Sequence, residues 1–296
     1  MFENTSVDKK HIKDIANIDD NYVNSGDREN RKYLKSKLEI EGYLLIAYNS
    51  WFKFDDGLYF FKTKAIFNEL FLSELIKEYK IRCVDYSLAS FKNKIGIISK
   101  SFRSKDKKYY EYNTFFNYQN MSAPKRLTTL NHVFREILPD KNRINLMDNF
   151  YRLTAFDWFT GQNDRTVSNI VFEVGDDVKL APLSDNGSSL LYIKEEDSEL
   201  EKYYRIYMSS FDHLLFPKDD KLNRKTLYLI NLINNHLEFY RYLCKSLDID
   251  INKILDRVIE KYNLIVPLED REQLIKYFDK KKQILERTLS IANKHK

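Results

Sequence analysis

Three short polar side chains, Asp164, Asn169 and Asp185, are the residues of this 296-residue chain whose types and spacing best suit chemistry. Carboxylate and amide oxygens are hard ligands. Mg2+ takes one or two such ligands from protein and fills its other positions with water and substrate phosphates. Asn169 and Asp185 can supply that pair, leaving Asp164 to orient a hydroxyl group and accept its proton. Phosphoryl transfer from a nucleotide uses this order: a catalytic aspartate, an asparagine about five residues on, and a second aspartate beyond a β-turn-β excursion.

The sequence around the three residues suits that job. Apolar and aromatic residues Phe156 to Phe159 lead to a turn at Thr160-Gly161, and Asn163-Asp164 follows in a polar loop. The run Ile170-Val171-Phe172, a turn at Gly175-Asp176-Asp177 and a second apolar run from Val178 to Leu183 then deliver Ser184-Asp185-Asn186-Gly187. Two hydrophobic anchors thus each mount a short polar side chain. Each residue also has a plainer reading: Asp164 can cap a turn, and Asp-Asn-Gly alone is a common hairpin turn. Upstream, Lys62 ends an aromatic strand and a helix bearing Glu69, Glu74 and Glu78 follows. A strand-end lysine paired with a helix glutamate is the phosphate-holding pair of the same chemistry. Taken singly, a surface lysine and a solvated glutamate are the alternatives.

The elements that must position these groups fall into two parts. Residues 1–37 are polar; they predict one short helix around Ile12, Ile15 and Ile18 and a loop at Asn24-Ser25-Gly26-Asp27, read as a frayed loop with a ligand cover as the alternative. From Leu38 the chain turns aromatic and predicts strands, with a hairpin turn at Asp55-Asp56-Gly57. A helix is expected over residues 67–79, with Phe67, Leu70, Phe71, Leu75 and Tyr79 at helical spacing. A second hairpin should turn at Lys92-Asn93-Lys94. The charged run at 103–108 marks the expected boundary of a β-rich first lobe. Beyond it, helices are predicted over 127–138, 144–159, 227–243, from Asp250 onward and over 268–292. Ile144, Met147, Phe150, Tyr151 and Leu153 share one face of the second of these, and Gly161 is its C-cap.

Composition narrows the classes. The chain is 43% hydrophobic and 31% charged, which suits a folded protein with an ample core. A net charge of +5 is too mild to suggest nucleic-acid binding. The two cysteines, Cys83 and Cys244, read as buried free thiols, and no zinc-ligand spacing occurs. No apolar run approaches a membrane span or a signal peptide, so a cytoplasmic protein is expected.

The segments 163–169 (NDRTVSN) and 180–190 (LAPLSDNGSSL) resemble the HipA-like serine/threonine kinases, whose pattern reads roughly N-x-D-R-H-x-x-N and then L-A-P-x-Y-D-x-G. The likeness extends over roughly residues 50–195, through the strand ending in Lys62, Asn68-Glu69 and the hairpin at 92–95. It implies an α+β, two-lobed protein-kinase-like fold, with a β-rich lobe at 1–103, a mainly helical lobe at 104–296, and ATP and Mg2+ between them. By the same resemblance Asp164 is the catalytic base, and Asn169 and Asp185 hold Mg2+ under the phosphates. Lys62 contacts the α/β-phosphates and Glu69 holds Lys62, while Ile97, Ile98 and Ser99 lie near the hinge that receives adenine. Helical spacing leaves Glu69 and Glu74 as equals; the resemblance selects Glu69. The sequence departs from the pattern at Thr166 (commonly His) and Ser184 (commonly Tyr), has a short link from Lys62 to Glu69, and shows no glycine-rich loop.

The implied activity is transfer of the γ-phosphoryl group of ATP to a Ser or Thr hydroxyl of a protein. A bacterial toxin or effector role, an antitoxin partner and autophosphorylation come with it, the loop residues Ser25, Ser188 and Ser189 being candidate sites for the last. Two other readings stand beside it: a kinase-like regulatory protein that binds without turnover, and a kinase acting on a small-molecule or lipid hydroxyl. Asp157 and Arg165 are not counted among the reactive groups: Asp157 reads as a helix-end or loop brace, and Arg165 as a brace through a buried ion pair.

Overall fold

Alternating aromatic and apolar residues build the first sheet. Strands β4 (Trp51–Phe54) and β5 (Gly57–Lys62) form a hairpin, with Trp51 opposite Phe60. Strands β6 (Tyr86–Phe91) and β7 (Lys94–Lys100) form another, turning at Lys92 and Asn93, whose φ values of 49° and 60° match the hairpin turn that suits strand twist. In the computed structural model, which describes residues 2, 5–24, 28–30, 32–33, 51–104, 106–112, 132, 135, 138–162, 165, 169–184, 186–187, 189–190, 199–200, 202 and 222–293, β5 and β7 pair antiparallel. Strand β3 (Tyr22–Val23) extends the sheet beyond β4, and β2 (Ala16–Asn17) runs parallel to β6. The six strands lie in the order β2-β6-β7-β5-β4-β3.

The period of two sorts the sheet into faces. Phe52, Phe61, Ala89 and Ile98 pack with Ile18 on one side. Tyr86 and Ile97 lie on the other, beneath helix α1 (Ile66–Glu78), and join the main core. Helix α1 is buried almost all round: Phe67, Leu70, Phe71, Leu72, Leu75 and Ile76 are all in the core. A helix covered on every side must pack against more than its own sheet. The other partners come from the second half of the chain.

That half is mainly helical: α2 (Asp140–Thr160), α3 (Leu222–Asn235), α4 (Leu237–Leu247), α5 (Ile251–Tyr262) and α6 (Leu268–Asn293). Strands β8 (Lys108–Glu111), β9 (Val171–Val174) and β10 (Val178–Leu180) make a small antiparallel sheet in the order β10-β9-β8. Gly161 ends α2 in the left-handed region at φ 68°, its N–H donating to the Asp157 carbonyl. Asp250 caps α5, its carboxylate accepting from the Lys253 N–H at 3.0 Å. Phe71 of α1 stacks near Phe278 of α6, and Phe278 near Phe159 of α2, so one apolar core joins the two halves.

Near the start, strand β1 (Ser6–Val7) pairs antiparallel with β11 (Leu264–Ile265), and the Phe2 ring lies 4.0 Å from Phe67. The loop expected at 24–27 falls almost wholly outside the described residues. Other expectations need correction. Around Ile12 the chain makes a single 3₁₀ turn, because the segments on either side are held as strands. Ile144 lies near the start of α2 and is 61% exposed, whereas Met147, Phe150 and Leu153 are buried. The helix expected over 227–243 is two helices, broken at His236, whose extended backbone redirects the chain. The helix expected over 127–138 falls almost wholly outside the described residues. Cys83 and Cys244 are free thiols as expected, but half-buried rather than fully buried.

Candidate active site

Strand β5 delivers Lys62 to the sheet face under α1, and the first turn of α1 delivers Glu69 to meet it. Glu69 is wholly buried, so its oxygens need partners to offset desolvation. Four donors meet them. Oε1 forms an ion pair with Lys62 Nζ and accepts from the Gly187 N–H at 2.9 Å. Oε2 accepts from the Asn186 N–H at 3.0 Å and from the Tyr86 hydroxyl at 3.1 Å. Helix α1 therefore grips Lys62 and the backbone just after position 185 with one carboxylate. Glu74, the other glutamate on the spacing argument, turns instead to Lys77 and Lys261.

Gly187 is needed for that grip. A Cβ there would lie 2.8 Å from the Ala65 Cβ and 3.1 Å from Glu69 Oε1. With no side chain, the loop comes close enough for Asn68 Nδ2 to donate to the Gly187 carbonyl at 3.1 Å.

A second buried charge holds the same loop from below. The side chains of Arg165 and Asp157 are both fully buried, and Arg165 donates to both carboxylate oxygens at 2.9 and 3.0 Å. Arg165 Nη2 also donates to Asn186 Oδ1 at 2.8 Å, and Nη1 reaches the Ser184 carbonyl at 3.5 Å. Burial opposes the guanidinium charge, but the Asp157 carboxylate outweighs it and holds the Arg165 pKa above its usual range. The brace expected of Asp157 and Arg165 is present, and it also reaches the far loop.

Backbone pairing completes the frame. The Leu183 N–H donates to the Arg82 carbonyl at 2.9 Å and the Val84 N–H to the Leu183 carbonyl at 3.0 Å, a short parallel bridge centred on Cys83 and Leu183. Burial, with Glu69 nearby, pushes the Cys83 thiol up to about 12, so it is not a reactive thiolate. Arg82 and Lys107 both pair with Glu173 of β9 at 3.2 and 2.8 Å.

Of the residues singled out by sequence, Lys62 and Glu69 are brought together. Ser99 lies on the Lys62 face, since Lys62 pairs with Ile97 and side chains alternate. Ile98 packs its side chain with Phe61 and Phe52 on the opposite face. It therefore offers no side chain to a ligand beside Lys62. Asn169 is half-buried and lies just before β9. Asp164 and Asp185 lie outside the described residues, as do Thr166, Ser25 and Ser188. Ser189 is buried. Sequence reasoning missed Tyr86 and Asn186. The signal for Asn186 was its place between two candidate groups; Tyr86 had none beyond its strand.

No family profile matches the chain, and no curated protein matches it in sequence. Solved structures do match. One is a Helicobacter pylori proinflammatory kinase, CtkA, with a TM-score of 0.60 and 18% identity, over 82% of this chain and 94% of that one. The fold is that of the HipA-like kinases. HipA of Shewanella oneidensis MR-1, solved with HipB and its operator DNA as a toxin–antitoxin system, matches with a TM-score of 0.51 and 12% identity. The match covers 80% of this chain but 59% of that HipA, so this chain spans about three-fifths of its length. Within the HipA-like fold, the β-rich half supplies Lys62 and Glu69 and the helical half supplies Asp157, Arg165 and Asn169. Among the described residues no helix is long and apolar enough to cross a membrane.

Proposed function

We propose that this chain is an ATP- and Mg2+-dependent kinase of the HipA-like type, transferring the γ-phosphoryl group to a Ser or Thr hydroxyl of a protein. The observation that carries this reading is the Glu69 carboxylate, which fixes Lys62 and the backbone following Asp185 at the same time. A phosphate-binding cation and a metal-binding carboxylate must be held in register for phosphoryl transfer, which depends on positioning and electrostatics.

The residues fit the group. The Lys62 side chain keeps 21% exposure while its partner is fully buried, so the ammonium is anchored yet still reaches solvent. Asn169 and Asp185 offer an amide and a carboxylate oxygen, the hard donors Mg2+ prefers. Bound there, Mg2+ would neutralise phosphate charge. Lys62 holds the α/β-phosphates, Glu69 orients Lys62, and Asp164 accepts the proton from the acceptor hydroxyl as the oxygen attacks.

A protein substrate, a cytoplasmic site of action and a toxin or effector role with an antitoxin partner belong to the same proposal. The structural match to a HipA bound to HipB supports a partner of that kind. The test is transfer of labelled phosphate from ATP, with Mg2+, to proteins of a cell lysate. The wild-type chain is expected to label at least one protein, and Asp164→Ala and Asp185→Ala are expected to label none while keeping their melting temperature. Equal labelling by either variant would defeat the assignment. Nucleotide binding without labelling would favour the regulatory reading, and labelling of a lipid or small molecule alone would change the acceptor.

A further inference from the structure

Two ion pairs, each with a fully buried carboxylate, flank the segment around Asn186, one from each half of the chain, and a single residue touches both. Asn186 is fully buried. Its N–H donates to Glu69, the partner of Lys62, and its Oδ1 accepts from Arg165, the partner of Asp157. Its remaining polar group, Nδ2, faces Cys83 Sγ at 3.8 Å, and its carbonyl accepts from the Ser189 N–H at 3.1 Å. An asparagine in an ordinary hairpin turn would point to solvent. This one has its backbone and side chain committed in opposite directions.

We infer that Asn186 is a positioning residue, coupling Mg2+ binding at Asp185 to the Lys62–Glu69 pair; this rests on the kinase reading above. The backbone on either side of Asp185 has few degrees of freedom left. Arg165 bonds the Ser184 carbonyl on one side, Asn186 is held at both its N–H and its Oδ1 on the other, and Asn68 bonds the Gly187 carbonyl one residue on. Arg165 immediately follows Asp164 in sequence, so its bond to Asn186 also joins the backbone of the two catalytic loops. Removal of Oδ1 leaves Arg165 paired with Asp157 but uncouples that pair from the metal loop. The backbone at 186 then has more freedom to lose when metal binds at the neighbouring residue. Nucleotide contacts made by Lys62 alone are unaffected. The signature is therefore a loss confined to the metal-dependent part of binding.

The probe is a fluorescent, non-hydrolysable ATP analogue, titrated into the full chain with Mg2+ and again in EDTA. Wild type should bind more tightly with Mg2+. Asn186→Ala should cut the ratio of the two affinities by about tenfold, the scale of one charge-assisted hydrogen bond, with the EDTA affinity within about twofold of wild type. Asn68→Ala, which frees the same loop from its other side and leaves both ion pairs intact, should cut the ratio by about threefold and serves if Asn186→Ala does not fold. An unchanged ratio in the folded variant overturns the inference, as does an equal loss with and without metal, which a merely structural role would give. Absence of any Mg2+-enhanced binding in wild type would instead bring down the kinase reading itself, and this inference with it.

Discussion

Replacing Glu69 by Gln keeps the side-chain shape and removes its charge, so it isolates what the buried carboxylate does. The new amide nitrogen has two places to point. Directed at Lys62 and the Gly187 N–H, it meets two groups that can only donate. Directed at Tyr86 and the Asn186 N–H, it meets a hydroxyl that can rotate to accept, and only the Asn186 N–H is left facing a donor. The second arrangement costs less and will be adopted. What remains lost is one N–H bond and the charge opposite Lys62, together about 3 kcal/mol. In a chain of this size that corresponds to a fall of roughly 6 °C in melting temperature. Catalysis should suffer more, because a loop displaced by about 1 Å can cost roughly a hundredfold in rate. Differential scanning calorimetry and initial rates of labelled phosphate transfer measure the two effects. Tyr86→Phe is the graded control: Oε2 keeps the Asn186 N–H, and a loss of about 1 kcal/mol is expected. A folded Glu69→Gln protein with wild-type rate would refute the reasoning. So would a Tyr86→Phe variant as damaged as Glu69→Gln.

Gly187→Ala places a methyl group 2.8 Å from the Ala65 Cβ. It should separate the loop from α1 and lower transfer at least about tenfold, read as kcat, with a melting-temperature loss of a few degrees. Arg165→Ala strands the Asp157 carboxylate in a fully buried site. A loss of about 3–5 kcal/mol is expected from urea denaturation, and Arg165→Ala with Asp157→Asn should recover part of it. Glu74 gives a pH signature. Burial raises its pKa, but Lys261 and Lys77 prevail and hold it below the ordinary 4.5. A lowered folded-state pKa means the contribution is present above the unfolded value and is lost as pH falls below about 4.5 through the folded value. Melting temperatures between about pH 3 and 7 should therefore fall less steeply for Glu74→Gln than for wild type, and parallel curves would contradict the assignment.

The hairpins and the long helices were legible because their signals are local. The turn at Lys92-Asn93 declares itself through Asn93, a residue that tolerates positive φ, and Gly161 announces the end of α2. Glu69 was half legible. Its helix could be read, but choosing it over Glu74 took a resemblance, because both sit on a helix that is buried all round. What could not be read was long-range. Phe2 finds Phe67, β1 finds β11, and Asn186 reaches Arg165 and Glu69, and no local pattern encodes such meetings. The break at His236 was hidden for another reason: the apolar spacing continues across it, and only the backbone departs from the helix.

Helix α1 follows a strand of the first sheet in sequence, yet much of what binds it comes from the second half. The Tyr79 hydroxyl meets Ser246 Oγ at 2.6 Å, Lys245 reaches the Glu78 carbonyl, and Glu74 bonds Lys261 at 2.8 Å. Any local opening that frees Asn186 and Gly187 must break bonds to Glu69 of the first half and Arg165 of the second. Its cost includes the hydrogen bonds that Asn186 and Gly187 make to Glu69 and Arg165. In hydrogen exchange, the amides of Asn186 and Gly187 should be protected like those of a core helix. Segments that switch are drawn from the least stable regions of a fold; with Asn186 and Gly187 held from both halves, a switching element is to be sought in some other segment of the chain.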